Sequence, residues 1–202
     1  MTGPPPRPSR SRFRGAIAGV GTTSGIRVVV GRWEESPYGA FADAMVETAT
    51  GHRVLLAPTQ PVADFVASTY SFDEVRIEPV SVDGWRLRSA SLELDLTLGR
   101  RTPLGRLLRV VPRRLAESPA WCTVTDPVAR VLLRGVRTRG SAGNDRREWY
   151  GATDAHEVVA ASGVLDGVDL GRLAPVTPPP RFGFSSTPPR PSVTTVVTTV
   201  EG

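Results

Sequence analysis

The sequence contains no lysine, because all 25 of its basic residues are arginine. A Schiff base therefore cannot form on a side chain, no P-loop lysine can contact a phosphate, and no lysine can act as a general base. An arginine side chain stays protonated at any usable pH, so it binds anions but does not shuttle protons. Lysine-dependent chemistry is thereby excluded.

Cysteine and histidine are also scarce. Cys122 is the one cysteine, which rules out an intrachain disulfide and a cysteine-rich metal site. His52 and His156 are too few for a zinc site, so we expect neither a metal nor a cofactor. Residues 1–14 lack the apolar core of a signal peptide, and no apolar run approaches the ~20 residues of a membrane helix. These absences predict a cytoplasmic, reduced protein without a membrane partner.

The net charge of +5 is unevenly distributed. Residues 100–147 carry 12 arginines and 3 acids, a local charge of +9, whereas residues 27–99 have a charge of −5. Within the basic segment, Arg106, Arg109 and Arg113 recur at helical spacing next to apolar residues. This pattern predicts either a helix face that is exposed to solvent or a surface that binds nucleic acid or an acidic partner. An aromatic content of 6% argues against base stacking.

Short β patterns dominate the chain after Phe13. Strands are predicted at Gly25–Trp33, Tyr38–Thr48, Arg53–Ala57, Val75–Val80, Trp85–Ser89, Ser91–Leu98, Glu148–Thr153, His156–Ala161 and Ser192–Val200. The first three of these would form a meander, and 148–153 with 156–161 a hairpin. One helix is predicted to follow an N-cap at Thr59, and a second, over Leu104–Leu115, is broken or bent at Pro112.

These elements predict a mainly β (α+β) fold, in which a curved or barrel-like antiparallel sheet carries one or two short helices. The predicted domain is single and covers residues 13–202. A disordered, proline- and arginine-rich tail would precede it at residues 1–12, and a proline-rich surface segment would lie at 174–191. No pattern fixes the oligomeric state, and a homo-oligomer stays open.

Several short segments resemble the acetoacetate decarboxylase-like family in their order and spacing. They are Gly39-Ala40-Phe41-Ala42-Asp43, Thr69-Tyr70-Ser71-Phe72-Asp73, Leu108-Arg109-Val110-Val111-Pro112 and Ser118-Pro119. The resemblance covers about 130 residues loosely. It implies a curved, barrel-like antiparallel sheet with a ligand cavity inside, as the strand pattern also predicts.

The chain departs from that family at the catalytic position. The lysine that forms the Schiff base in its decarboxylases corresponds to a position near Phe72 and Asp73, where this chain has a carboxylate instead. One acidic family position corresponds to Asp43, and the other falls near Val28 and is lost. The resemblance therefore implies a cavity without decarboxylase chemistry.

Asp43 and Asp73 are the candidate catalytic residues. Asp43 stands between small residues in a predicted strand, where it would point into a cavity and have a raised pKa. Either carboxyl group would then act as a general acid or base. The simpler alternative for Asp43 is an outward-facing carboxylate paired with an arginine.

Four further residues are candidate substrate-binding groups: Arg27, Tyr70, Glu47 and Glu74. Arg27 would bind an anionic group and Tyr70 would donate a phenolic hydrogen bond. Strand alternation places Glu47 on the same face as Asp43. For Arg27 the simpler alternative is plain exposure on the surface.

The leading functional hypothesis is a protein that binds a small molecule resembling an organic acid, or an acid–base enzyme that works without lysine. Such an enzyme would be a lyase or an isomerase. The first alternative is an interaction module that uses residues 100–147. Another is a lipocalin-like barrel that encloses an apolar ligand in a cavity without a carboxylate.

Overall fold

A computed structural model describes residues 10–118, 120–123, 139–141, 147–183 and 187–201. Strands dominate this part of the chain, as predicted. The strands are β1 (Arg10–Thr22), β2 (Arg27–Glu35), β3 (Phe41–Glu47), β4 (Arg53–Ala57), β5 (Glu74–Ile77), β6 (Ser81–Asp83), β7 (Arg86–Arg88), β8 (Leu92–Arg101), β9 (Arg139–Ser141), β10 (Arg147–Leu165), β11 (Val168–Asp169), β12 (Leu173–Ala174) and β13 (Ser192–Glu201). The helices are α1 (Gln60–Ala67), α2 (Pro103–Leu108) and α3 (Arg113–Ala116).

All these strands belong to one sheet, in the order β5-β4-β3-β2-β1-β13-β10-β8-β7-β6. Two short strands, β9 and β11, pair with β10, and β12 pairs with β1. Strand β5 runs parallel to β4, across the α1 connection, whereas the other described pairs are antiparallel. Strand β13 lies between β1 and β10 and so joins the two halves of the sheet.

The sheet curls into a half-barrel. Val46 and Leu56, on β3 and β4, belong to the same buried cluster as Leu87 and Leu94, on β7 and β8, although four strands separate them in the sheet. We call the side that encloses this cluster the concave face. Because strand side chains alternate, the intervening residues point to the outer face. There Leu55 packs against the buried side chains of α1.

Several predicted elements are confirmed. The meander of β2, β3 and β4 has the expected pairing, and β4 has the predicted bounds. Helix α1 follows Thr59 and has a proline in its first turn. The predicted break at Pro112 separates α2 from α3.

The predicted hairpin over 148–153 and 156–161 is wrong. Both segments belong to β10, which runs without a turn for 19 residues. Its register against β13 shifts between Ala152 and Asp154. This bulge accommodates the polar residues that favoured a turn, because a bulge inserts an unpaired residue while the strand continues.

The predicted disordered tail and the predicted proline-rich surface segment have defined positions where the structure describes them. Arg10–Arg12 pair with β13 as the start of β1, whereas residues 1–9 lie outside the described residues. In the proline-rich segment Val176 and Phe182 are buried, and Phe182 packs against Phe72 of the outer-face cluster. Most of the basic segment's second half, residues 124–138 and 142–146, also lies outside the described residues.

Among the helices in the described ranges, none is both long and apolar enough to span a membrane.

Candidate functional site

An open groove of about 300 Å³ lies on the concave face, at the end that the hydrophobic cluster does not fill. Its lining combines charged, hydroxyl and apolar side chains: Arg14, Arg32, Glu34, Trp85, Leu98, Arg113, Glu117, Thr153, His156 and Thr195, with Ala16, Val193, Val196 and Val197 at its base. Strand periodicity explains this composition. Arg14 precedes Ala16, Ala18 and Val20 at alternate positions of β1, and Arg32 follows Val28 and Val30 at alternate positions of β2, so both arginines lie on the concave face.

Two of the groove's arginines are held by carboxylates. Arg14 donates through Nη1 to Oε1 of Glu117 at 2.8 Å and through Nη2 to Oε2 at 3.1 Å. This bidentate hydrogen bonding holds the pKa of Glu117 below its usual value. Arg32 donates to Glu34 at 2.8 Å, and its guanidinium carbon lies 5.7 Å from the centre of the Trp85 ring.

Arg113 is different, because within the described residues its exposed guanidinium has no hydrogen-bond or ion-pair partner. Nearby, His156 has only a distant carboxylate neighbour, at 3.7 Å between Nε2 and Oδ2 of Asp154. The Thr153 hydroxyl donates to the Thr195 carbonyl at 3.4 Å and keeps its lone pairs as acceptors, and the Thr195 hydroxyl adds a neutral donor to the lining. The groove therefore offers an exposed guanidinium and hydroxyl groups in a cleft whose walls are partly apolar. Without a hydrogen bond, the charge of Arg113 also helps to lower the pKa of Glu117.

The predicted catalytic residue Asp43 lies on the outer face and is only 4% exposed. Its Oδ1 accepts a hydrogen bond from Nε1 of Trp33 at 2.9 Å. Burial raises the pKa of the carboxyl to about 7, and the Trp33 bond opposes this rise. The oxygen lies directly over Gly31, where any side chain would collide with it.

The predicted binding residues Arg27 and Glu47 pair with each other. Nη2 of Arg27 donates to Oε1 of Glu47 at 2.6 Å, and both side chains are almost fully buried. Arg27 also donates to the carbonyl oxygens of Gly25 and Thr48. The second Glu47 oxygen accepts from the backbone N–H of Arg181 at 2.7 Å. This arrangement ties β2 and β3 to the proline-rich segment.

Asp73 and Glu74 lie at the exposed edge near β5 and are also ion-paired. Asp73 accepts two hydrogen bonds from the Arg53 guanidinium, which lower its pKa to about 2. Glu74 is bonded to Arg76, which lowers the pKa of that carboxyl. Asp43 lies opposite Gly31 near the start of β3, whereas Asp73 is bonded to Arg53, which lies opposite Glu47 at the end of β3. The structure therefore does not bring the two predicted catalytic carboxylates together.

Tyr70, in contrast, belongs to a buried polar cluster that the sequence did not predict. Its hydroxyl lies 2.9 Å from Oε1 and 3.0 Å from Oε2 of Glu148, and it also hydrogen-bonds to the Tyr150 hydroxyl. Burial raises the pKa of Glu148 to about 7, although the two tyrosines oppose the rise. Alternation along β10 places Glu148 and Tyr150 on one face, but no local pattern links them to Tyr70.

No cluster of three or more histidine, cysteine or carboxylate side chains suited to a metal ion occurs within the described ranges. The polar side chains of the concave face are chiefly guanidinium and hydroxyl groups, which suit an anion rather than a cation.

Comparison with known proteins gives no relative, since no family model, no curated protein and no solved structure matches the chain.

Proposed function

We propose that this protein binds a small organic anion, such as a carboxylic acid, in the concave groove. The observation that carries the proposal is the exposed guanidinium of Arg113, which lines the groove and forms no hydrogen bond or ion pair within the described residues. A guanidinium presents donors in a rigid fork that matches a carboxylate. The two neighbouring arginines are already ion-paired, so they would hold the walls in place while Arg113 contacts the ligand.

The other groove residues support a ligand with one charged end and a small apolar body. Trp85 and Leu98 provide apolar surface, while Thr153 and Thr195 provide hydroxyl groups. A volume of about 300 Å³ lies at the lower limit for small-molecule sites, which indicates a small metabolite. His156 adds an imidazole that can form a hydrogen bond to such a ligand.

The acetoacetate decarboxylase-like relationship remains a hypothesis. A curled sheet with a ligand-sized groove on its concave side agrees with it. The catalytic roles of Asp43 and Asp73 also remain predictions. If they are correct, the chemistry takes place on the outer face, away from the groove, and substituting Arg113 will leave it unchanged.

Calorimetric titration with carboxylates and their neutral amides tests the proposal, for example with benzoate against benzamide and acetoacetate against acetoacetamide. We expect the carboxylates alone to bind. Arg113→Gln should weaken this binding by about tenfold or more, because a charge-assisted hydrogen bond is lost.

Arg114→Gln is the matched control. It removes the same charge from the neighbouring residue, which is exposed and does not line the groove. If the two variants weaken binding equally, the attraction is diffuse and the groove is not the site. If no carboxylate is bound by the wild-type protein, the proposal is wrong.

A further inference from the structure

The surface formed by α2, α3 and the turn between them is unusual in its composition. Three large apolar side chains are exposed on it, with Leu107 at 64%, Val110 at 79% and Leu115 at 43%. Arg106, Arg109 and Arg114 are exposed on the same stretch. We refer to these six residues as the α2–α3 surface.

Small residues explain why the large side chains point outward. Gly105 lies against the backbone of Ala155, so closely that an added Cβ would overlap its carbonyl oxygen. Thr102 caps α2 by accepting from the N–H of Gly105 at 2.9 Å, and its own N–H donates to the Ala155 carbonyl. Ala116 is 1% exposed and contacts Gly151. The segment is therefore anchored to β10 through its small residues, Gly105 and Ala116. Its large side chains, Leu107 and Val110, remain exposed to solvent.

The arginines of this surface have no internal partners. Within the described residues, none of Arg106, Arg109 and Arg114 forms an ion pair. In contrast, the arginines on β1, β2, β4 and β5 all have carboxylate partners. The sequence from 102 to 116 contains no acidic residue. The field at this surface is thus positive and uncompensated, which attracts a negatively charged partner.

We infer that the α2–α3 surface docks an acidic segment of a partner protein that also carries apolar side chains. The positive charge of the surface favours an anionic partner. The exposed leucine and valine side chains favour a protein over a nucleic acid as that partner. Phosphates would neutralise the arginines but leave Leu107 and Val110 in water. Residues 102–116 also contain no aromatic side chain on which a base could stack. An acidic segment with leucine or phenylalanine side chains would satisfy both features at once.

Fluorescence anisotropy with labelled probes tests this inference on the full chain. The probes are a peptide that alternates glutamate with leucine, a polyglutamate peptide of equal charge, and a DNA duplex. We expect the leucine-bearing peptide to bind about tenfold more tightly than polyglutamate, because its apolar side chains become buried. Binding should weaken as salt rises from about 50 to about 200 mM, since the charges are exposed.

Two double variants separate the two contributions. Leu107→Ser with Val110→Ser should abolish the preference for the leucine-bearing peptide while leaving polyglutamate binding unchanged. Arg106→Gln with Arg109→Gln should weaken binding of both peptides by about tenfold or more. All four positions are exposed, so we expect the melting temperature to remain within a few degrees of that of the wild-type protein.

The matched controls make the same changes elsewhere on the surface. Val168→Ser with Ile77→Ser replaces two other exposed apolar side chains, at 62% and 49%, and Arg86→Gln with Arg172→Gln removes two exposed arginines. The inference is overturned if these controls weaken binding as much as the α2–α3 variants do. It is also overturned if the duplex binds more tightly than the leucine-bearing peptide, or if neither peptide binds. Arg113 is unchanged in every variant, so carboxylate binding in the groove is tested separately.

Discussion

The phenolic hydroxyl of Tyr70 donates to the carboxylate of Glu148 across 78 positions of sequence, at 2.9 Å from Oε1. This hydrogen bond joins the turn after α1 to the first part of β10. Burial raises the pKa of Glu148 to about 7. Above that pH the buried carboxylate is ionised, and its charge lowers the stability of the folded protein.

Glu148→Gln should therefore change how stability depends on pH. The folded-state pKa, about 7, lies above the usual value of 4.5 for a glutamate, so the folded protein binds more protons between these values and loses stability as pH rises. We expect the glutamine variant to match the wild-type protein near pH 4 and to exceed it near pH 8 by up to about 3 kcal/mol. Urea unfolding across this range measures the difference, with exposed Glu93→Gln as the control. Parallel curves for wild type and Glu148→Gln would contradict the prediction.

Asp43→Asn should act in the same direction at a separate place. Burial raises the pKa of Asp43 to about 7 as well, and asparagine can still accept the hydrogen bond from Trp33. The asparagine variant should gain stability relative to the wild type as pH rises from about 4 to about 7, and its effect should add to that of Glu148→Gln, because no described hydrogen bond links the two sites. Trp33→Phe removes the donor and should instead destabilise the protein by about 1–3 kcal/mol. If Asp43→Asn is less stable than the wild type at high pH, the buried carboxyl of Asp43 does not have a raised pKa.

The buried pair of Arg27 and Glu47 should show strong coupling in a double-mutant cycle. Arg27→Met leaves the glutamate charge buried without its partner, which should cost about 3–5 kcal/mol in the free energy of unfolding. Adding Glu47→Gln removes that charge and should restore part of the loss, while the amide oxygen still accepts from the backbone of Arg181. Urea denaturation of the wild type, both single variants and the double variant measures the coupling. Additive losses would mean that the pair contributes no coupling energy.

Gly105→Ala should destabilise the protein, although alanine is the better helix former. In an exposed helix the change gains about 1 kcal/mol. Here the new methyl group would overlap the Ala155 carbonyl, and relieving that overlap should cost about 1–3 kcal/mol and lift α2 from β10. Thermal unfolding measures the net effect, and Arg109→Ala, at an exposed position nearby, should stay within about 0.5 kcal/mol. If the alanine variant is more stable than the wild type, Gly105 does not pack closely against the backbone of Ala155.

Local sequence patterns predicted the elements whose structure depends on local interactions. The meander of β2 to β4, helix α1 and the break at Pro112 follow from β-branched runs, a proline in a first helical turn and a proline within a helix. The long strand β10 was not predicted, because a bulge near Asp154 has the same polar composition as a turn.

The sites depended on contacts that no local pattern reports. Arg14, Arg32 and Arg113 line one groove only because the sheet curls, and curling is a property of the whole sheet. Tyr70 meets Glu148 through a contact between the turn after α1 and β10, 78 positions apart in the sequence. Alternation did place Asp43 and Glu47 on one face, yet it could not reveal that Glu47 is already paired with Arg27.

The position of β13 between β1 and β10 has a consequence for how the protein is made on the ribosome. Residues Ser192–Glu201 provide the only strand through which the described β1 and β10 are joined in the sheet, so the half-barrel cannot close until these residues have been synthesised and have left the tunnel. Until then the nascent chain has two unpaired strand edges, β1 and β10, and such edges promote aggregation. A chain whose translation stops before Ser192 would keep both edges open, and its earlier strands would be synthesised but unable to complete the fold.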